Sequence, residues 1–196
     1  MEYAKLKEIA SIYFALVEKS EVGEAVKVIT PNGLRENNVV VFGSEFVVKE
    51  KISFLTQLAE GDIIIKRLSP LFVNCLEEIN QCVYLLNNAI AIRVISEQFN
   101  PKYIAFILGR QLDRLNSEAN SGTRFSAVNR KMIEEIDVPI ESLARQQKIG
   151  ELWRLRNKHQ QLLSRLATKE NEKSKLIYNQ LIRQAEGKYK CQQTRK

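Results

Sequence analysis

The chain has 196 residues, of which 44% are hydrophobic, so it has room for one ordinary domain with a core and an appendage. No stretch approaches 18 consecutive apolar residues, and the N-terminal MEYAKLKEIA carries charges where a signal peptide needs an apolar run. These features argue against a membrane protein and a secreted one, and they predict a soluble, cytoplasmic protein.

The net charge of +7 is unevenly distributed along the chain. Residues 1–143 hold 16 Lys and Arg against 19 Asp and Glu, a net of −3, whereas residues 144–196 hold 14 against 4, a net of +10. A basic arm beside a near-neutral head favours a polyanion or an acidic protein as partner. A solvated helix face followed by a disordered tail would produce the same charge pattern.

The first half of the chain consists of short apolar runs that predict about seven strands. Residues 24–30 alternate in polarity and end at Pro31-Asn32-Gly33, a sequence typical of turns. The β-branched runs 38–43 and 45–50 are separated by Gly43-Ser44, and the simplest structure for them is a β-hairpin. Other segments predict a strand or helical turn at 5–12 and strands at 70–76, 81–87 and 89–96.

Residues 58–70, LAEGDIIIKRLSP, predict a turn at Gly61-Asp62 followed by a buried strand at Ile63–Ile65. Lys66, Arg67 and Ser69 emerge at the far end of that strand. A strand that ends in basic and hydroxyl side chains is well placed to present them to a ligand, but an ordinary strand end in solvent would look the same.

Two helices follow the strands. Asn100 is a good N-cap and Pro101 suits the first helical position, which predicts a helix over 101–119. Its apolar residues fall on one stripe, while the charged residues Lys102, Arg110, Asp113 and Arg114 face elsewhere; the stripe contains Ile104, Ile107, Leu108, Leu112 and Leu115. Residues 121–126 form a loop, 128–136 predict a short helix, and DVPI a brief extended stretch.

The last long stretch, residues 142–187, predicts one continuous helix capped by Ser142. Its apolar positions recur at steps of three and four, are interrupted by the polar TKENEKSK at 168–175, and then resume. One helix cannot bury such a narrow seam against itself, so we expect a coiled-coil partner. The seam contains Leu152, Leu155, His159, Leu162, Leu166, Leu176, Ile177 and Leu181, with Ile182 beside it.

These elements together predict an α+β fold. A compact, mixed α/β head spans residues 1–141, the coiled-coil helix spans 142–187, and residues 188–196 form a basic tail without apolar periodicity, which we expect to be disordered.

The motifs of common enzymes are absent from the sequence. It has neither G-x-G-x-x-G nor G-x-x-x-x-G-K-[ST], and Asn100-Pro101-Lys102-Tyr103 lacks the second proline of a methyltransferase motif. The single His159 lies on the helix seam, and the three cysteines lack metal-ligand spacing; Cys75 and Cys82 are interpreted as buried, reduced thiols and Cys191 lies in the tail. We therefore expect no catalysis, no cofactor and no metal.

The order of these parts resembles the specificity subunit of type I restriction–modification enzymes. The likeness runs from GDIIIKR through NNAIAIRVI, NPKYIAFIL and SGTRFSAV to IEEIDVPIESLARQQKI. In the family, a strand with Pro and an apolar residue is followed by Gln before Ile at the start of a long helix; here this pattern is Val138-Pro139-Ile140 and Gln147-Lys148-Ile149. The family's Gly-Asp-Ile/Leu turn is matched by Gly61-Asp62-Ile63. The chain departs from the family by carrying one head-plus-helix unit instead of two, by Glu141 in place of a second proline, and by lacking Gly in IASIYFALV.

The resemblance implies a non-catalytic subunit whose head is a target-recognition domain for double-stranded DNA and whose helix is a spacer on which DNA methyltransferase (modification) subunits dock. A single unit would pair its helix with an antiparallel copy, forming a homodimer that reads an inverted repeat split by a spacer. Candidate DNA-binding residues are those with hydrogen-bonding side chains on the predicted loops and strand ends: Lys66, Arg67, Ser69, Asn87, Asn88, Thr123, Arg124 and Lys131.

Two alternatives remain open on the sequence. The second hypothesis, after the restriction–modification subunit, is a stand-alone homodimeric DNA-binding regulator or a truncated, swappable recognition module that has no enzyme partner. A purely structural coiled-coil adaptor whose head binds protein is the third possibility.

Overall fold

The structure is a computed structural model that describes residues 2–14, 19–43, 46–48, 57–68, 70–79, 82–85, 89–120 and 128–193. For residues 19–26, 46–48, 115–120 and 184–193 it describes the backbone but not the side chains. The elements, in chain order, are β1 (Tyr3–Lys5), α1 (Leu6–Ile9), β2 (Ala10–Phe14), β3 (Lys19–Arg35), β4 (Val39–Phe42), β5 (Phe46–Val48), β6 (Ile63–Lys66), β7 (Val73–Cys75), β8 (Val83–Leu85), β9 (Ala89–Val94), α2 (Pro101–Asn120), α3 (Arg130–Glu134), β10 (Asp137–Pro139) and α4 (Leu143–Gln193).

The centre of the head is an antiparallel sheet with the strand order β2-β9-β6-β7. Residues Ile63–Ile65 of β6 are completely buried because both faces of the strand are covered. Ile63 and Ile65 pack into the core that contains α2, while Ile64 packs against the second sheet. The predicted buried strand at Ile63–Ile65 is confirmed, and burial on both faces explains its unbroken apolar run.

Helix α2 covers one face of this sheet with its predicted apolar stripe. Ile104, Leu108 and Leu112 are buried and Ile107 is half-buried, whereas the side chain of Leu115 lies outside the described residues. The cap is confirmed as well, because Asn100 Oδ1 accepts hydrogen bonds from the backbone N–H groups of Lys102 at 3.0 Å and Tyr103 at 3.2 Å.

The predicted hairpin between 38–43 and 45–50 is wrong. Both β4 and β5 pair antiparallel with the long strand β3, with Ile29 opposite Phe42 and Val26 opposite Phe46. Strand β8 also pairs with β3, in parallel. The two β-branched runs therefore lie one after the other along a third strand, which supplies the backbone hydrogen bonds that a hairpin between them would have supplied.

The predicted turn at Pro31-Asn32-Gly33 is also wrong, since this tripeptide lies inside β3 where the register shifts between Ile29 and Leu34. A Cβ on Gly33 would collide with the carbonyl oxygen of Val41, so the close approach of two strands requires glycine there. The chain turns later, at Asn37 and Asn38, whose φ angles are 58° and 57°. Asparagine tolerates this left-handed conformation better than most residues.

The remaining short elements connect the N-terminal segment of the head to its C-terminal segment. Strand β1 pairs with β10, and Leu6, Ile9 and Ile12 of the following segment are buried, in agreement with the predicted core segment at 5–12. The helix predicted over 128–136 is shorter, because Asn129 caps it: Asn129 Oδ1 accepts the backbone N–H of Met132 at 2.9 Å.

The two described cysteines differ. Cys75 is buried, and burial raises the pKa of its thiol to about 12. Cys82 is exposed, so the prediction of a buried thiol is wrong there: it lies one residue before β8, outside the buried part of that strand. The side chain of Cys191 lies outside the described residues.

The chain divides into two compact units, residues 1–157 and 158–196. The first unit includes the beginning of α4, where Gln146 and Gly150 are buried and Ile149 and Trp153 pack against the core. The structural division thus falls inside the helix, whereas the sequence analysis places it where the helix begins. Ser142 precedes the helix, and its carbonyl accepts the N–H groups of Arg145 and Gln146.

The second unit consists of the rest of α4, which continues past the predicted end at residue 187 to Gln193. Its large apolar side chains are exposed, from 45% for Leu163 to 70% for Leu176. In the first unit Leu152 and Leu155, on the same seam, are 69% and 51% exposed.

The α+β fold class and the long C-terminal helix are confirmed. Among the described residues, no helix combines the length and the apolar composition that a membrane span requires.

Candidate nucleic-acid interface

The structure describes three of the predicted DNA-binding residues. Lys66 ends β6, Arg67 follows it, and Lys131 is exposed on α3. The other candidates, Ser69, Asn87, Asn88, Thr123 and Arg124, lie outside the described residues.

Two of the predicted segments, far apart in sequence, meet at Arg67. The backbone N–H of Val128 donates to the carbonyl of Arg67 at 3.1 Å, and Arg67 Nε donates to the carbonyl of Val128 at 3.1 Å. Val128 directly follows residues 121–127, which include the candidates Thr123 and Arg124. The end of β6 and the start of the α3 segment are therefore held together, 61 residues apart in the chain.

An aromatic ring lies at the centre of this junction. The guanidinium carbon of Arg67 is 5.5 Å from the centroid of the Phe14 ring, and that of Arg130 is 5.6 Å from it. Arg130 also donates from Nη2 to the carbonyl of Ile12 at 3.2 Å and from Nε to Glu134 Oε1 at 2.6 Å. We call Phe14, Arg67 and Arg130 the arginine cluster.

Lys66 lies next to the arginine cluster in sequence and has an aromatic neighbour of its own. Its Nζ is 5.3 Å from the centroid of the Phe72 ring, and its backbone N–H donates to the Phe72 carbonyl at 3.1 Å. A cation over a ring face is attracted by the ring quadrupole without being neutralised by it. Lys66 therefore keeps its full charge for a ligand.

The carboxylates on and after α3 pair with lysines of the N-terminal segment or with Arg130. Glu135 accepts a hydrogen bond from Lys7 Nζ at 2.7 Å, which lowers the pKa of Glu135. Asp137 lies 2.7 Å from Lys5 Nζ, and Glu134 pairs with Arg130. Among ion pairs between described residues, none includes Lys66, Arg67 or Lys131.

The turn before β6 is fixed by a buried carboxylate. Asp62 is 2% exposed; its two oxygens accept hydrogen bonds from Arg93 Nε at 2.8 Å and Nη2 at 2.6 Å, and Oδ2 also accepts the Ala59 N–H at 2.8 Å. Gly61 supplies the positive φ of 83° that the turn needs. The predicted Gly61-Asp62 turn is confirmed, and the Asp62–Arg93 pair fixes where β6 begins.

The start of α4 is anchored by Gln146. Its Oε1 accepts the Asn100 N–H at 2.9 Å, and its Nε2 donates to the carbonyls of Gln98 and Glu141, each at 2.9 Å. The sequence analysis singles out Gln147, which is exposed, and misses Gln146. The available signal was helical spacing, since Gln146 lies on the same helix face as Ile149 and Trp153.

The sequence analysis also misses Phe14 and Arg130. Nothing in the local sequence distinguishes Phe14 from a core aromatic residue, and Arg130 looks like any charge on a short helix. They become candidates only because the ends of β2 and β6 and the start of α3 meet at the Phe14 ring.

Guanidinium groups suit phosphate oxygens, because their planar N–H donors match the spacing of those acceptors. Among the described residues, no group of three or more His, Cys, Asp or Glu side chains is arranged to hold a metal ion. The head thus carries cations at aromatic rings and at a strand end, a set of side chains suited to binding the phosphates of a nucleic acid.

The family is given by the sequence of the head. Residues 1–154 match the type I restriction modification DNA specificity domain, and the chain belongs to that family. The family consists of DNA-recognition domains without catalytic activity, in agreement with the resemblance found in the sequence.

Solved structures share the fold at low sequence identity. A chain from a study of complex assembly and conformational transition of the type I R-M system has 15% identity and a TM-score of 0.58, over 84% of this chain and 39% of that one. The type I restriction-modification S subunit from M. genitalium has 16% identity and a TM-score of 0.57, over 85% and 42%. The HsdS subunit from Thermoanaerobacter tengcongensis has 12% identity and a TM-score of 0.57, over 81% and 37%.

The match thus covers only about two fifths of the length of those solved chains. No curated protein sequence matches the chain.

Proposed function

We propose that this chain is the DNA-recognition and scaffold subunit of a type I restriction–modification complex, reading one half of a bipartite DNA target. The observation that supports the proposal is the junction of Arg67 with Val128, which holds the end of β6 against the start of the α3 segment, near Arg130. Separate segments that converge on one cationic surface are what the reading of a DNA site requires.

The candidates divide into two groups by the contacts they can make. We propose that Lys66, Arg67 and Lys131 contact phosphates or base edges, and in support of this they form no ion pairs among the described residues. The remaining candidates have side chains suited to base edges. This second group, still a prediction, contains Ser69, Asn87, Asn88, Thr123 and Arg124.

The charge distribution favours DNA binding that depends on partners. The head has a net charge of −3, so one head offers few phosphate contacts beyond the cluster. Phosphate contacts supply much of the free energy of DNA binding. We infer that most of the affinity comes from a second copy and from methyltransferase subunits.

Helix α4 is the proposed surface for both partners. The apolar seam, from 48% exposed at Leu162 to 70% at Leu176, fits an antiparallel helix of a second copy, which would give a two-fold homodimer that reads an inverted repeat. The polar stretch 168–175 and the basic charge of the helix are the proposed docking region for methyltransferase subunits, or for phosphate.

Selection of duplexes from a random library by the full chain, with and without the methyltransferase subunit of the same system, tests the proposal. We expect a recurrent half-site, tighter binding with the methyltransferase, and weaker binding by Arg67→Ala. Arg35→Ala, an exposed arginine on β3, is the matched control and should bind like the wild type. Failure to select any sequence, alone or with the methyltransferase, would exclude the proposal.

The same experiment distinguishes the proposed restriction–modification subunit from a stand-alone DNA-binding regulator. A stand-alone regulator would select a sequence, but its affinity would not change when the methyltransferase subunit is added.

A further inference from the structure

We propose that Phe14 is a positioning residue that holds Arg67 and Arg130 side by side as a paired site for one DNA backbone phosphate. The inference rests on the proposed DNA-recognition function and adds to it a role for a residue that makes no polar contact itself.

The geometry begins with three segments that end at one ring. Phe14 ends β2, Arg67 follows β6, and Arg130 begins α3. The guanidinium carbons lie 5.5 and 5.6 Å from the ring centroid, within the range of cation–π attraction. Both arginines therefore contact one ring, although the sequence places them 63 positions apart.

Two guanidinium groups at one ring carry like charges, and the protein holds each of them with contacts of its own. The negative face of the ring attracts both, and each has a carbonyl anchor: Val128 for Arg67 at 3.1 Å and Ile12 for Arg130 at 3.2 Å. Glu134 lies 2.6 Å from Arg130 Nε and offsets one of the two charges. The pair therefore keeps a net positive charge.

The guanidinium N–H donors that are not used within the described part of the protein indicate which kind of ligand the site would bind. A guanidinium has five N–H donors, and among contacts between described residues Arg67 uses one nitrogen and Arg130 uses two. Both arginines therefore keep donors for an outside acceptor, and their charges favour an anion. A phosphate offers several oxygens to two cations at once, whereas the acceptors of a base edge suit one guanidinium in one plane.

Fixing both groups to a ring lowers the entropy lost when they bind. A free arginine side chain loses much rotamer freedom when it is immobilised, and prior stacking removes part of that loss. Phe14 thus raises affinity without touching DNA, and the effect should be the same for every DNA sequence.

The test compares DNA binding by the full-length Phe14→Leu and Phe14→Tyr variants, using duplexes selected by the wild type over a series of salt concentrations. We expect Phe14→Leu to weaken binding about tenfold, because two cation–π contacts are lost, and Phe14→Tyr to bind like the wild type. Phe106→Leu is the matched control: Phe106 has its own arginine, Arg110, at 5.9 Å, but it lies outside the cluster and should have no effect.

A double-mutant cycle shows whether Phe14 acts through the arginines. In an Arg67→Gln/Arg130→Gln background, Phe14→Leu should have no further effect on binding. An equal loss in both backgrounds would overturn the proposal, as would an equal loss from Phe106→Leu.

The salt dependence of DNA binding tests whether Arg67 and Arg130 bind one phosphate between them. The Arg67→Gln/Arg130→Gln variant keeps the ring, so it remains informative if Phe14→Leu does not fold. It should lower the slope of log K against log salt by about one, the value for one phosphate. A decrease of about two would mean separate phosphates, and a loss confined to one base position would mean base readout; either outcome would overturn the paired site.

The two proposals fail separately. If the wild type selects no DNA sequence, the proposed function is wrong; if it does and Phe14→Leu binds equally well, only the role of Phe14 is wrong.

Discussion

Gln146 shows how one buried polar side chain can join three parts of a domain. It is 1% exposed and hydrogen-bonds to the segment before α2 through Gln98 and Asn100, and to the segment before α4 through Glu141. Tyr103 adds to this junction by donating its hydroxyl to the carbonyl of Pro139 at 2.9 Å. A polar group is tolerated at such depth because every hydrogen bond it needs is made.

We predict that Gln146→Leu lowers the free energy of unfolding by about 2 kcal/mol, because it leaves an N–H and two carbonyls without their partner at a part-buried junction. Equilibrium urea unfolding measures the change. The adjacent Gln147→Leu is the control, and since Gln147 is exposed it should change stability by less than about 0.5 kcal/mol. Equal effects at the two positions would show that the buried hydrogen bonds do not carry the stability.

At the scale of elements, the contact of α4 with the start of α2 depends on the absence of a side chain. A Cβ on Gly150 would lie 2.8 Å from Lys102 Cβ and 3.0 Å from both Asn100 Oδ1 and the Tyr103 backbone nitrogen. Two of these atoms belong to the N-terminal cap of α2, which cannot move without losing its hydrogen bonds. Helix propensity alone would favour alanine at this position.

We predict that Gly150→Ala destabilises the protein by about 1–2 kcal/mol, since overpacking outweighs the gain in helix propensity. Gly109→Ala, in α2, is the matched control: nothing lies within 4 Å of its added Cβ, so it should stabilise by about 0.5–1 kcal/mol. Thermal unfolding of both variants would show shifts of opposite sign. A stabilised Gly150→Ala would mean that the two helices are not as close as described.

At the scale of the whole molecule, the main feature is an apolar seam that the described part of the chain leaves exposed. Leu155 is 51% exposed and Leu162 is 48% exposed, and such residues recur at coiled-coil spacing. Exposed leucines in a row are costly in water, so the proposed antiparallel homodimer would remove an unfavourable surface.

We predict that the double variant Leu155→Glu/Leu162→Glu halves the mass of the species in solution, because charges on the seam prevent its burial. Light scattering on the full chain measures the mass. Gln160→Glu/Ser164→Glu adds the same charge on the opposite face of the helix and should leave the mass unchanged. An unchanged mass in the seam variant would show that another surface holds the copies together, or that the chain is monomeric.

The sequence by itself determined the elements whose signals are local. The capped helix beginning at Pro101, the buried strand Ile63–Ile65 and the Gly61-Asp62 turn follow from periodicity, capping and backbone conformation within a few residues. The order of these elements also sufficed to indicate the family. Lys66 and Arg67 became candidates because a strand end is a local feature.

Tertiary structure alone decided what depends on contacts between distant segments. The runs 39–42 and 46–48 look like a hairpin until β3 is seen to pair with both, and Gly33 looks like a turn until Val41 is seen beside it. Phe14, Arg130 and Gln146 acquire their roles only from neighbours far away in the chain. The physical reason is that strand pairing and side-chain clustering join residues of large sequence separation, on which local propensity carries no information.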